Sequence, residues 1–354
     1  MKSTLGKRLS EEERTSCDVG FVVGGVSVRL ASTAASAVAL VPSLEPFRAE
    51  TCPADIDVRI ERTADLCSPK RRRLFDSGSV WSLYEDGLEF QFDFCAPALG
   101  GQPYKRLFVD KQFHQARLQM SEACFIGTDY AVGPMEYPLD ELLIMYRLTQ
   151  EKAIELHGCG IVRADGTGNL FVGHSGAGKS TTTRFWTARE EVEVLSDDRI
   201  IVRRDHKKQV PHRCCAPVRK DNENCGADKE QKQVLRLRAP SASPSGHAAQ
   251  DDKTNVIRMY GTPWHGEAMY ASPNSAPLAR IFVLEHGHGN MITRLTPSQA
   301  VAELFARAFV PFHRHEYVES ALTFLEEVVE EIPVYRYAFE PNEAAVEVVA
   351  GFRD

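Results

Sequence analysis

The sequence predicts an α/β chain with a β-rich amino-terminal domain over residues 1–134 and an α/β domain over 135–354. Three observations carry this reading. Apolar and polar side chains alternate through much of the first 130 residues, the mark of strands with one buried face. An apolar run, a glycine-rich segment and a helical pattern follow one another across 169–186. Beyond residue 296 the apolar spacing becomes helical.

Composition narrows the classes of function. The 354 residues carry a net charge of −7, which gives no general nucleic-acid binding surface, so no nucleic-acid partner is expected. No apolar run approaches the roughly 18–20 residues of a membrane span, so no membrane partner is expected either. Met1 to Arg8 lacks the apolar core of a secretion signal, and a cytoplasmic location is expected. The nine cysteines are odd in number and scattered, with Cys214, Cys215 and Cys225 the nearest to a cluster. With no CxxC pair, a structural zinc site is not expected, and reduced thiols are.

The elements follow in order. Residues 1–17 are polar and read as disordered. Phe21 to Leu30 holds two β-branched runs around Gly24-Gly25, a hairpin signal. Asp55 to Ile60 alternates as a strand. Val80 to Tyr84 and Leu88 to Phe94 form a second predicted hairpin around Glu85-Asp86-Gly87. Trp81, Phe90, Phe92 and Phe94 at strand spacing predict core packing. The basic run Lys70 to Arg73 predicts a solvated loop, with contact to a phosphate or an acidic partner as its alternative.

Pro138 to Leu148 has helical apolar spacing behind a proline and joins the two domains. Gly160 to Arg163 and Asn169 to Val172 read as strands around the turn Asp165-Gly166, and Thr181 to Trp186 as a helix. Residues 207–254 are polar and predict a mobile insertion. Val256 to Tyr260 and Pro277 to Leu284 read as strands. Thr296, Pro297 and Gln299 predict a capping box opening a helix, and Glu316 to Glu331 a second helix.

The run Gly173-His174-Ser175-Gly176-Ala177-Gly178-Lys179-Ser180-Thr181 fits the pattern G-x-x-x-x-G-K-[ST] without mismatch. Glycines let backbone N–H groups close around phosphate oxygens, and the helix that follows presents its positive end. In such a loop Lys179 reaches the β- and γ-phosphates and Ser180 ligates Mg²⁺. Val192 to Asp198 reads as a strand ending in two carboxylates. One carboxylate can hold Mg²⁺ and the other can accept a proton from an attacking hydroxyl, while a solvated Asp-Asp turn is the alternative. His157-Gly158 precedes the strand pair, and its histidine reads either as structural or as part of the site. Gly261 to Glu267 offers Trp264, His265 and Glu267 on a tight turn, read equally as site or as core packing.

The order His157-Gly158, Gly173 to Ser180, then Asp197-Asp198-Arg199 resembles the catalytic domain of the HPr serine kinase/phosphorylase family. That family shares its fold group with phosphoenolpyruvate carboxykinase, and the Gly261 turn looks more like its HPr-kinase-related branch. The resemblance spans roughly residues 150–350. It implies a P-loop-containing carboxykinase-like domain, with ATP and Mg²⁺ as cofactors. Gly173, Ser175, Gly176, Ala177, Gly178, Lys179, Ser180 and Thr181 would hold the nucleotide. Asp197 would be the base, Asp198 would support the metal with Ser180, and His157 would sit beside the transferred phosphate. The arginine-glycine signature of true HPr kinases has no counterpart here, so HPr as substrate and reverse phosphorolysis do not follow. Self-association is implied by the resemblance alone.

The expected function is therefore an ATP-dependent kinase acting on a hydroxyl, serine foremost, of a protein, peptide or small molecule. Two alternatives remain open at the level of sequence. One is a carboxykinase-like lyase, and the other a nucleotide-sensing module without catalysis.

Overall fold

The computed structural model describes residues 18–32, 38–50, 53–64, 66, 71–97, 101–122, 133–189, 191–205, 256–342 and 344–353. The expectations for residues 1–17 and 207–254, and for Cys214, Cys215 and Cys225, fall outside these. The described chain is mixed α/β with a β-rich amino-terminal part.

That part is one eight-stranded sheet. Its strands are β1 (Val19–Val23), β2 (Val26–Ser32), β3 (Ile56–Thr63), β4 (Arg72–Asp76), β5 (Trp81–Glu85), β6 (Glu89–Cys95), β7 (Pro103–Asp110) and β8 (Gln115–Ser121). They lie in the order β1-β2-β3-β8-β7-β6-β5-β4. Gly24 and Gly25, at φ of 58° and 75°, turn the β1–β2 hairpin through the left-handed region, as the sequence predicts. Phe90, Phe92 and Phe94 are buried as expected.

Strand β6 is covered on both faces, which strict alternation does not suggest. Gln91 and Asp93 are also buried, because Arg106 grips Asp93 with two bonds of 2.6 and 2.9 Å. Of the basic run, Lys70 lies outside the described residues, and Arg72 and Arg73 are solvated as expected but on a strand rather than a loop. Arg72 opens β4, and Arg71 is largely buried, lying over Phe108 and paired with Asp86 at 2.8 Å.

The rest of the chain supplies α1 (Leu139–Leu148), β9 (Ala153–Val162), β10 (Gly168–Val172), α2 (Lys179–Arg189), β11 (Glu193–Ser196), β12 (Arg199–Arg204) and β13 (Ile257–Tyr260). It continues with β14 (Ser275–His286), β15 (Met291–Arg294), α3 (Pro297–Phe305), β16 (Ala308–Phe309), α4 (His315–Glu331), β17 (Val334–Phe339) and α5 (Ala344–Gly351). The strands form a nine-stranded sheet whose pairings close a ring, β9–β12–β13–β14–β10 and back to β9. β9 is its hub, pairing along its length with β10, β11, β12 and β16.

The predicted capping box is present at α3. The Gln299 N–H donates to Thr296 Oγ1, and the Thr296 N–H donates to Gln299 Oε1 at 3.1 Å. Helix α4 buries Tyr317, Ala321, Phe324, Leu325 and Val328, one face at helical spacing.

One apolar core runs through both sheets, joining Phe21, Leu30 and Phe90 to Tyr146, Leu156 and Ile201. The hairpin docks directly on β12, where Arg203 Nη1 donates to the Gly24 carbonyl at 3.0 Å. A second core of Phe171, Trp186, Phe282, Tyr335 and Tyr337 packs under α2 and α5.

Candidate functional site

Strand β10 is buried along its whole length and delivers the chain into the glycine-rich turn, and α2 starts at Lys179. Gly178 has a φ of 101°, and a Cβ there would stand 2.2 Å from Cζ of Phe339. No other residue fits. The Ala177 N–H donates to the His174 carbonyl at 3.0 Å, which closes the turn. His286 Nε2 donates to the Gly176 carbonyl at 2.8 Å and steadies it from β14.

Among the described residues, the N–H groups of Gly176, Gly178, Lys179 and Ser180 have no protein acceptor. Orphan donors at the first turn of a helix form a receptor for an anion. Lys179 is buried, and its ammonium donates to the carbonyls of Gly173 and His174 at 3.0 and 3.2 Å. Burial pushes its pKa down, while the Asp198 charge works in the opposite direction. Gly173, Ser175, Gly176, Ala177, Gly178, Lys179, Ser180 and Thr181 thus form one continuous turn and helix start, as the motif requires.

The two carboxylates after β11 have different surroundings. Asp197 is 1 % exposed and accepts three backbone N–H bonds. They come from Gly266 at 3.0 Å, Ala268 at 2.8 Å and Tyr270 at 3.2 Å. Its oxygens are occupied in seating this loop. Asp198 keeps 23 % of its side chain exposed, and its Oδ1 accepts from His157 Nε2 at 2.9 Å. Its Oδ2 accepts from Arg199. Burial works to raise the Asp198 pKa, but the His157 bond and the charges of Arg199 and Lys179 outweigh it and hold the carboxyl below its usual range. His157 comes from β9, opposite Arg199 in the β9–β12 register.

The Gly261–Glu267 turn resolves toward packing. Trp264 is buried, and its indole N–H donates to Asp140 Oδ2 at 3.0 Å, while His265 and Glu267 are exposed. The Thr262 hydroxyl donates to the Arg199 carbonyl at 2.8 Å. The turn serves the site through its backbone, by holding Asp197 and Arg199.

Several residues at this site are given no role by the sequence. Arg199 pairs with Asp198 and Glu141, lies 3.4 Å from Glu155, and stacks over Phe309 at 4.7 Å. Glu155 is fully enclosed, and burial, together with the neighbouring Glu141 carboxyl, drives its pKa well upward. Only alternation read as far back as Ala153 would have placed Glu155 and His157 on one strand.

The arrangement joins unpaired N–H groups at a helix start, a buried cation and an accessible carboxylate–imidazole pair. No protein-family model matches the chain, and no curated protein matches it.

Proposed function

We propose that the chain is an ATP-dependent phosphotransferase of the HPr-kinase-related type, with a P-loop of the carboxykinase-like fold group. It would transfer the γ-phosphoryl group to a hydroxyl, serine foremost, of a protein, peptide or small molecule. The carrying observation is the set of unpaired N–H groups at the start of α2 beside the hydrogen-bonded His157–Asp198 pair.

On this reading the N–H groups of Gly176, Gly178, Lys179 and Ser180 bind phosphate oxygens, and Lys179 exchanges its two carbonyl partners for the β- and γ-phosphates. The acceptor oxygen forms a bond to the γ-phosphorus as the bond to the β–γ bridging oxygen breaks. ADP leaves with that electron pair. The proton of the hydroxyl passes to the imidazole nitrogen of His157 that Asp198 does not hold, so Asp198 acts by orienting the ring. The family resemblance implies Asp197 as the base, but its three N–H bonds and near-complete burial suit an anchoring role better.

Among the described residues no group of three or more His, Cys, Asp or Glu side chains could hold a metal. A Mg²⁺ ion does not need one, since it is bound through one or two protein groups and substrate phosphates. Ser180 and Asp198 would hold it, and it would neutralise charge on the phosphates.

The test is phosphate transfer from ATP to serine-containing peptides and to lysate, read by mass spectrometry. Wild type should transfer and His157→Gln should not. Equal transfer by both would remove His157 from the mechanism. A nucleotide-binding module without transfer is the second reading, favoured by the enclosure of Asp197. Nucleotide binding with no transfer to any acceptor would select it.

A further inference from the structure

Arg307 lies between α3 and β16, and its carbonyl accepts the His157 N–H at 2.8 Å. The carbonyl of His157 in turn accepts from the Gly173 N–H at 3.2 Å. One residue of β9 therefore ties Arg307 to the first residue of the glycine-rich turn.

The Arg307 side chain is only 8 % exposed. Its Nη1 donates to the Glu303 carbonyl at 2.7 Å and to Glu303 Oε2 at 2.6 Å. Its Nε is buried with no partner. Glu303 is shared with Arg336 at 2.9 Å, so one carboxylate serves two guanidinium groups. A buried cation with an unmet donor is costly unless something completes it. Its charge reaches the turn. Arg307 leads the influences holding the His174 imidazole below its ordinary range, and burial, His157 and Lys179 add to it.

We propose that Arg307 is a second cationic ligand, alongside Lys179, for the terminal phosphoryl group of the bound nucleotide. The inference rests on the phosphate-site reading above. Arg307 adjoins His157, to which the acceptor's proton is assigned, so the charge it meets is that of the group being transferred. A guanidinium suits this position because its planar fork can engage two phosphate oxygens while Nη1 remains on Glu303.

The experiment titrates wild type, Arg307→Gln and Arg307→Lys with ADP and with a non-hydrolysable β,γ-imido ATP analogue, alongside melting curves. Arg307→Gln should keep its ADP affinity within about twofold and lose roughly tenfold for the analogue, as expected for one charge-assisted contact. Arg307→Lys should fall between. Equal loss for both nucleotides with a lowered melting temperature would show that Arg307 only clamps α3, and would overturn the proposal. So would unchanged affinity for both. If Arg307→Gln does not fold, the ADP-to-analogue ratio of Arg307→Lys decides, and an unchanged ratio overturns the proposal. If wild type binds neither nucleotide, the phosphate-site reading itself falls, a result distinct from failure of Arg307 alone.

Discussion

His157 and Asp198 meet at 2.9 Å across the pairing of β9 with β12. They are 41 residues apart in the chain, and the pairing of Arg199 with His157 brings them together beside the glycine-rich turn. This contact separates the roles of the two adjacent carboxylates.

That separation can be tested by substitution. Asp198→Asn and His157→Gln should each lower phosphoryl transfer about 10²–10⁴-fold, the usual worth of general base catalysis. Their melting temperatures should stay near wild type. Asp197→Asn should instead lose stability on the order of 1–3 kcal/mol, because an amide cannot accept all three N–H bonds. A Tm for Asp197→Asn equal to wild type would count against the anchoring role.

Gly178 carries both a left-handed backbone and a close approach to Phe339. Gly178→Ala should abolish nucleotide binding. Adding Phe339→Ala removes the clash but leaves the φ of 101°, so the double variant should stay defective. Restored binding in the double variant would show that crowding alone matters.

Trp264 and Asp140 give a pH dependence. Burial first, opposed by the Trp264 bond, pushes the Asp140 carboxyl up to about 7, well above the usual carboxylate range. A raised carboxyl pKa favours the protonated native state. Its contribution is full below about pH 4 and is lost as pH rises through about 7. Trp264→Phe removes the bond that supports the charged form, so it should cost more stability at pH 8 than at pH 5. Denaturant melts at the two pH values check this, and equal losses would contradict it.

At the hairpin, Gly24 has a φ of 58°, and a Cβ there would lie 2.5 Å from Cδ1 of Ile201. Gly24→Ala should destabilise by at least about 1–2 kcal/mol, the cost of the left-handed backbone alone. Gly87 has a φ of 96° but open space around it, so Gly87→Ala should cost less. Chemical denaturation of both variants makes the comparison, and equal costs would mean that the Ile201 contact carries no weight.

The sequence reveals most where a local rule acts alone. The Gly24-Gly25 turn and the Thr296–Gln299 box each follow from neighbours in the chain and stand as read, and the Gly173–Thr181 run has the expected strand–turn–helix setting. Legibility stops where distant strands meet. Strand β9 reads as beginning near Gly160, although Glu155 and His157 alternate with Ile154 and Leu156, and both are positioned by partners from other elements. Arg71 sits in a basic run that looks solvated, but Phe108 and Asp86 arrive from strands that pair nearby. Arg307 belongs to no motif, and the partners of Arg199 (Glu141, Glu155 and Phe309) come from elements the Asp197-Asp198-Arg199 segment does not reveal.

If the turn before α2 is a phosphate site, Mg·ATP binds there through Lys179, and calorimetric titration into wild type and Lys179→Ala measures this. Saturable binding by wild type, weakened at least about tenfold in the variant, is the predicted result. No binding by wild type, or the same affinity in both proteins, would contradict it.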